Sequence, residues 1–205
     1  MFYNTPVRMK FIQSKTSEKN HLLKMIRSFL IANSNIEFHL KWDHDEKEIF
    51  PISTPEKRIQ DVLFKKHRIN LIHTSTQYDG ISFEIFMSEE SSRGNAHKQH
   101  YLFINNRFVQ DIQIHKIILN SGRSYWPEQE TGHYVAKLEI PNDEVDVNVH
   151  PNKTVVKIFN PPKTYSIISG TIKSLVSSQE KAINKGEYKT SEEKIELPLN
   201  HSTEH

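Results

Sequence analysis

The stretch that decides the fold reads VDVNVHPNK over residues 145–153 and continues as TVVKIF over residues 154–159. Valines at 145, 147 and 149 alternate with polar residues, which is typical of a strand with one buried and one solvent-facing side. Pro151 cannot extend a central strand and Asn152 tolerates turn geometry. The chain is therefore predicted to reverse at 150–153 and to return as a second strand.

Lys153 lies at the tip of this predicted hairpin or just inside the returning strand. Its flexible stem would carry an ammonium group to an anionic partner. The same residues also fit a core hairpin with a solvated lysine at its turn, because surface lysines are common and turns are polar. Spacing alone does not separate these two interpretations.

Three stretches of the chain carry a resemblance to a known family. VDVNVHPNK resembles the VDVNVHP-x-K signature that closes the N-terminal half of MutL-type DNA mismatch repair proteins. FYNTPVRMKF at 2–11 resembles the FYNTPAR-x-KF segment of that family, and YLFINNR at 101–107 resembles its Y-x-FVNGR strand. The matches follow the family's order, so the resemblance covers residues 1 to about 178.

Composition sets limits on what the chain can be. Its 205 residues include no cysteine, which excludes disulfides and thiolate metal sites. A mean hydropathy of -0.63, the absence of a signal-peptide pattern and the lack of any apolar run near the roughly 20 residues of a membrane span predict a cytoplasmic protein. A net charge of +2 is too weak to indicate nucleic-acid binding, so any DNA contact needs a local patch.

Hydrophobic periodicity predicts the secondary structure. Helices are predicted near 17–33, 56–67, 112–121 and 163–178, and strands near 36–42, 48–50, 69–75, 81–88, 100–109 and 134–140. An apolar stripe on the first long helix is interpreted as core packing; it consists of Leu22, Met25, Ile26, Phe29 and Leu30. Residues 89–99 lack an apolar period and are predicted to form a mobile loop.

Strands and helices intermixed in this order predict an α+β fold with helices packed on a mixed sheet. The resemblance implies the family's transducer domain, which is similar to the second domain of a small-subunit ribosomal protein and contains a left-handed βαβ crossover. Pattern alone would favour the opposite hand. The expected division is 1–35 as the remnant end of a GHKL ATPase domain, 36–178 as the transducer domain and 179–205 as a disordered polar tail.

The resemblance also implies a chemistry shared by two domains. In the family, the GHKL domain holds ATP and Mg²⁺, and the lysine of VNVHP-x-K reaches the γ-phosphate from the second domain. Lys153 matches that lysine and is the candidate catalytic residue, since positive charge is needed where negative charge develops. The family's nucleotide pocket precedes the first matched motif, so we expect a truncated or split member that alone binds neither ATP nor Mg²⁺ and has no ATPase activity.

The first matched motif supplies the candidate remnant of the nucleotide domain. Its residues are Asn4, Thr5, Pro6, Arg8 and Lys10. Read without the resemblance, Thr5 and Pro6 are a helix N-cap and first helical position. The chain departs from the family's pattern at Val7 and Met9, where the family favours Ala and Arg, and at Asn106, where it has Gly.

The family binds the DNA backbone largely without reading sequence, as a homodimer of MutL, and works with the mismatch-recognition protein MutS. Candidate DNA contacts are Arg107 by motif match and Lys116 and Arg123 by proximity, although isolated surface cations are more often solubilising charges. We expect weak, salt-sensitive DNA binding and no membrane association.

Two classes of function follow. The favoured one is a mismatch repair domain that couples ATP binding and hydrolysis by a GHKL domain to DNA and partner binding, in the cytoplasm and associated with the nucleoid during repair. The alternative is a standalone DNA- or protein-binding module, or a gene relic without ATPase function. His97 and His100 lack a third ligand at a recognisable spacing, so no metal site is predicted.

Overall fold

A computed structural model describes residues 15–41, 47–93, 98–146 and 156–184. Its α-helices are α1 (Lys15–Ala32), α2 (Pro55–Leu63), α3 (Ile112–Ser121) and α4 (Pro161–Asn184). Its strands are β1 (Phe38–Leu40), β2 (Glu48–Phe50), β3 (Leu71–Tyr78), β4 (Ile81–Arg93), β5 (His100–Ile104), β6 (Arg107–Val109), β7 (Glu130–Glu139), β8 (Val145–Asp146) and β9 (Lys157–Ile158). A 3-10 turn, Arg123–Tyr125, follows α3.

The central feature is a five-stranded sheet in the order β3-β4-β7-β5-β6. Its neighbours are antiparallel except β5 and β7, which run parallel and are joined through β6 and α3. This mixed sheet with packed helices confirms the predicted α+β class. The parallel pair supplies the β-α-β crossover, whose left-handed sense stays a prediction.

Helices cover both faces of the sheet because its inner strands carry apolar residues on each side. One face packs against α3 and α4; its fully buried side chains include Phe83, Ile85, Ile104, Ile114 and Ile168. The other face packs against α1 and α2; its core residues include Ile31, Ile59, Phe86, Tyr101 and Phe103. These two clusters form the interior of the part of the chain that the structure describes.

The prediction of a loop over 89–99 is partly wrong, because β4 continues to Arg93. The strand predicted near 134–140 also begins earlier, since β7 starts at Glu130. A bulge between Met87 and Ser91 shifts the register and lets the two strands pair further. At the bulge the Trp126 Nε1–H donates to the Ser88 carbonyl at 2.9 Å, and the His133 N–H donates to the Ser88 hydroxyl at 2.8 Å. A bulge carries no apolar period, so periodicity could not have predicted it.

Gly132 lies opposite this bulge, where the backbone leaves no room for a side chain. A Cβ at this position would lie closer than 3.0 Å to Ser88 Oγ, Trp126 Nε1 and the Glu90 carbonyl oxygen. Glycine is therefore required by close approach of the neighbouring groups.

Other element predictions also need correction. The strand predicted at 100–109 is a hairpin of β5 and β6, since the chain turns at Asn105 and Asn106, with φ of 48° and 60°. The helix predicted at 163–178 extends from 161 to 184. The predicted tail beyond 184 lies outside the described residues.

The apolar stripe of α1 is only partly core, contrary to the prediction. Leu22, Met25 and Phe29 are 52, 44 and 63% exposed, whereas Leu30 and Ile31 are buried. The helical period was correct, but α1 contacts α2 and β6 along one side only. The spacing of apolar residues shows which side of a helix is apolar, but it does not show whether another element covers that side.

Arg58 joins α1, α2 and the β1–β2 hairpin. Arg58 is only 1% exposed, and its guanidinium donates hydrogen bonds of 2.8–3.5 Å to six backbone carbonyls. The acceptors are Leu30, Asn33, Ser34, Ile36, Phe50 and Pro51. Burial lowers the pKa of the Arg58 guanidinium, but arginine remains charged in proteins. The cation therefore provides a donor to carbonyls at the end of α1 and in the following loop, two of which, Asn33 and Ser34, also accept a backbone N–H.

Replacing Arg58 with Met is expected to lower the free energy of unfolding by about 3 kcal/mol or more, because several buried carbonyls lose their donor. Equilibrium urea unfolding measures the change. The matched control is Arg68→Met, since Arg68 is an exposed arginine whose contact with Asp61 at 3.5 Å is worth under about 1 kcal/mol. Equal destabilisation by the two changes would contradict the role of Arg58.

Candidate functional site

The VDVNVHPNK stretch is described only at its two ends. Residues 147–155, which include Lys153, lie outside the described residues, as do the remnant residues Asn4, Thr5, Pro6, Arg8 and Lys10. At the ends, β8 and β9 are antiparallel, with Val145 opposite Ile158 and Asp146 opposite Lys157. The chain therefore does reverse between them, as predicted.

The base of this hairpin is anchored in the main core. Val145, Val156 and Ile158 are 7, 7 and 8% exposed and belong to the cluster that α3 and α4 cover. Burial of three β-branched side chains contributes on the order of several kcal/mol. The two strands that lead into and out of the lysine motif are thus fixed relative to the sheet.

A lysine ties the hairpin base to the β3–β4 turn and to α4. The Lys163 ammonium contacts Asp79 Oδ2 at 2.7 Å and Glu144 Oε1 at 3.1 Å. These hydrogen bonds to Asp79 and Glu144 raise the pKa of Lys163. The Phe159 N–H also donates to the Glu144 carbonyl at 2.9 Å. Hydrogen bonds therefore connect the start of α4 to the strand before the motif.

Asn105 fixes the turn that leads to Arg107. Its backbone N–H donates to the Leu138 carbonyl at 2.9 Å, and its side-chain amide exchanges two hydrogen bonds with the backbone of Ile140, at 2.9 and 2.8 Å. The amide thus acts as an additional peptide group in the β5–β7 ladder. Asn106 follows with a positive φ, a geometry that Asn tolerates where the family motif has Gly.

The three candidate DNA-contacting residues are exposed but are not gathered into one patch. Arg107 begins β6 and lines a groove of about 630 Å³ beside α1. Lys116 lies on α3 and Arg123 in the 3-10 turn after it, on the opposite face of the sheet. Among the described residues, no hydrogen bond or ion pair joins the three.

The groove beside Arg107 has an apolar wall, and its α1 residues were predicted to lie in the core. Met25 and Phe29 of α1 form one side, and Phe103 and Phe108 of the sheet form the other. Exposed aromatic surface of this kind marks contact sites in soluble proteins. In the sequence, the sign of this groove is that the apolar stripe of α1 is wider than the surface that one neighbouring element can cover.

A cluster of titratable rings lies at the start of β5. The sequence did not predict this cluster; it indicated only that His100 lacks the partners of a metal ligand. The His100 ring stacks on Tyr134 with centroids 4.7 Å apart, and His115 Nδ1 lies 2.7 Å from the Tyr134 hydroxyl. Burial, with a smaller contribution from the nearby positive groups of His115, His133 and Lys98, lowers the pKa of His100 to about 4, although a hydrogen bond to the Gly132 carbonyl acts in the opposite direction. Within the described ranges, no three His, Asp or Glu side chains converge as metal ligands would.

Comparison with known proteins gives the class and then the family. The fold is that of N-terminal domains of DNA repair proteins: a crystal structure of one such domain superposes with a TM-score of 0.64 at 19% identity, covering 89% of this chain and 61% of that one. The Aquifex aeolicus MutL ATPase domain with a K252N mutation superposes with a TM-score of 0.57 at 20% identity, covering 83% of this chain and 58% of that one.

The family described as DNA mismatch repair protein, C-terminal domain, matches residues 59–177, more than half of the chain. The chain belongs to this family and is MutL-like. DNA mismatch repair protein MutL of Porphyromonas gingivalis is 25% identical over 178 residues, 87% of this chain and 29% of that protein, and MutL of Neorickettsia sennetsu is 30% identical over 166 residues, 78% and 25% respectively. The chain thus spans about three tenths of the length of these relatives. No helix among the described residues is long and apolar enough to cross a membrane.

Acidification is expected to destabilise the fold through His100. The unfolded chain takes up the imidazole proton near the ordinary pKa of 6.5, whereas the folded chain does so only near about 4, so the free energy of unfolding falls as pH drops through this window. Urea unfolding at a series of pH values measures the slope. His100→Phe keeps a ring against Tyr134 but takes up no proton, so its slope should be shallower.

Exposed His67→Gln is the control and should retain the wild-type slope. An unchanged slope in His100→Phe would exclude His100 as the source of the acid sensitivity.

Proposed function

We propose that this chain is the transducer-type domain of a MutL-like mismatch repair protein, coupling the nucleotide state of a GHKL ATPase domain to DNA and to partners such as MutS. The observation that carries the proposal is the hairpin base, where paired and buried strands flank a stretch that matches the VDVNVHP-x-K signature. Membership of the mismatch repair family supports the same biological setting.

Lys153 is proposed to contact the γ-phosphate of ATP held by the neighbouring domain. It lies in the sequence between β8 and β9, three residues before the buried Val156. A lysine mounted on one domain and directed to a nucleotide on another stabilises developing negative charge and makes domain orientation depend on the nucleotide. ATP and Mg²⁺ are assigned to the GHKL domain, and when bound they supply the reacting phosphate and its countercharge.

The proposed division assigns 1–35 to the end of the GHKL domain, 36–178 to the transducer domain and 179–205 to a polar tail. α1 packs on α2 and β6, while its Leu22, Met25 and Phe29 remain exposed, the last two along the groove beside Arg107. We propose that this exposed side faces the remainder of the ATPase domain. The greater length of the curated relatives supports this arrangement.

Lys153→Ala, tested with a GHKL domain joined to the chain, is expected to lower ATP turnover by at least about tenfold, because a charge at the transferring phosphoryl group is lost. The chain alone is expected to have no Mg²⁺-dependent turnover. The control is Lys157→Ala, which removes an exposed lysine from β9 of the same hairpin. Unchanged turnover in Lys153→Ala, or an equal loss in Lys157→Ala, would remove the assignment.

DNA binding is proposed to involve backbone phosphates and to include Arg107. Affinity for a duplex should fall steeply with salt, because each phosphate contact releases counterions. Arg107→Ala should weaken binding across all sequences and reduce the slope of log affinity against log salt by about 1. Fluorescence anisotropy of a labelled duplex measures both quantities. Arg68→Ala serves as the exposed-arginine control, and a wild-type slope in Arg107→Ala would exclude the contact.

A further inference from the structure

A small pocket opens where β6 leaves the edge of β5 uncovered. β6 pairs only with Leu102–Ile104 of β5, so His100 and Tyr101 have β7 on one side and no β6 partner on the other. The pocket has a volume of about 240 Å³. Lys24 reaches it from α1 on one face of the sheet, and His115 reaches it from α3 on the other.

Lys24 brings a positive charge to this pocket. Its ammonium lies 5.5 Å from the centre of the Phe108 ring and 5.9 Å from that of Tyr101, and burial lowers its pKa. In the part of the chain that the structure describes, no carboxylate lies within ion-pair distance of it. A partly desolvated ammonium held only by ring faces is stabilised further by an anion.

Two histidines lie on the far side of the pocket, and His100 Nε2 is engaged with the Gly132 carbonyl oxygen at 3.0 Å. His115 uses Nδ1 in its hydrogen bond with the Tyr134 hydroxyl, and its Nε2 has no hydrogen bond to any described residue. The His100 ring lies beside it, with centroids 5.0 Å apart. Protonation of either imidazole would add positive charge within the pocket.

One acidic residue, Asp111, also lines the pocket. Its Oδ1 accepts hydrogen bonds from the backbone N–H groups of Gln113 and Ile114, both at 2.9 Å, so it caps α3. Its charge is directed to the start of that helix, where the helix dipole is positive. Lys24 and His115 therefore remain available to a second anion.

We propose that this pocket binds one phosphate group between Lys24 and His115. A tetrahedral oxyanion fits the volume and would supply a counterion for Lys24, which has none among the described residues. The inference does not depend on the proposed function, since it uses only the side chains around β5. The phosphate comes either from a free or small phosphorylated compound or from the DNA backbone.

Binding is expected to strengthen on acidification, because a bound anion favours the protonated form of the two histidines. The charged and titratable groups that act on them are Lys24 for His115, and His115, His133 and Lys98 for His100. Burial and these positive groups oppose protonation of the two imidazoles, whereas the negative charge of Asp111, which also lines the pocket, acts in the opposite direction. A bound anion adds negative charge beside the imidazoles, so the anion and the proton should bind cooperatively.

Titration of the full chain with inorganic phosphate, followed by ³¹P NMR at pH 6 and at pH 8, tests the proposal. The wild-type chain should show saturable binding at both pH values. Because phosphate itself carries less negative charge at pH 6, the effect of the histidines is measured by comparison with His115→Gln: lowering the pH should favour binding to the wild-type chain more than binding to His115→Gln. Lys24→Met should weaken it at least about tenfold, because a charge-assisted contact is lost, whereas Lys24→Arg should retain it. Lys19→Met, an exposed lysine on the same helix, should bind as the wild type does.

Absence of saturable binding to the wild-type chain, or equal affinity in Lys24→Met and Lys19→Met, would overturn the proposal. Competition with a DNA duplex then separates the two sources. If phosphate displaces the duplex and Lys24→Met loses both, the site holds a backbone phosphate. If Lys24→Met loses phosphate but binds the duplex normally, the ligand is a free or small phosphorylated compound. Circular dichroism of each variant establishes that it is folded.

Discussion

The interaction on which the arrangement depends is the buried guanidinium of Arg58. A single cation satisfies carbonyls from the end of α1, from the loop after it and from the end of the β1–β2 hairpin. The carbonyl dipoles directed at one point stabilise the positive charge, and the charge of the nearby Asp61 carboxylate adds to this stabilisation. The position of α1 on the sheet, and with it the groove beside Arg107, follows from this contact.

A second constraint comes from the end of the sheet where its turns gather. Asn105 extends the β5–β7 ladder with its side chain, and Lys163 joins the β3–β4 turn to the strand before the lysine motif. The hairpin and the turn before Arg107 are therefore held by the same rigid sheet. If the domain has the coupling role proposed above, this rigid sheet is the element that would connect its two contact points.

Short stretches of sequence predicted most of the helices and strands. The features that were not predicted depend on contacts between residues distant in the chain. Alternating valines in 145–149 and the Asp111 cap of α3 are signals that a short window contains. The exposure of Phe29, the burial of Arg58 and the meeting of His100 with His115 depend on elements distant in the chain. The lysine motif was recognised by resemblance, because its spacing alone also fitted a solvated turn.

Gly132 has a consequence for how this sheet could change over evolutionary time. Every replacement adds at least one carbon, and that carbon would overlap the serine, the indole and the carbonyl that define the bulge. A change there would need replacement of both Ser88 and Trp126 and a shift of the backbone at Glu90, so single-step mutational routes through this position are closed. Divergent relatives should therefore alter the loops around the bulge sooner than the bulge itself.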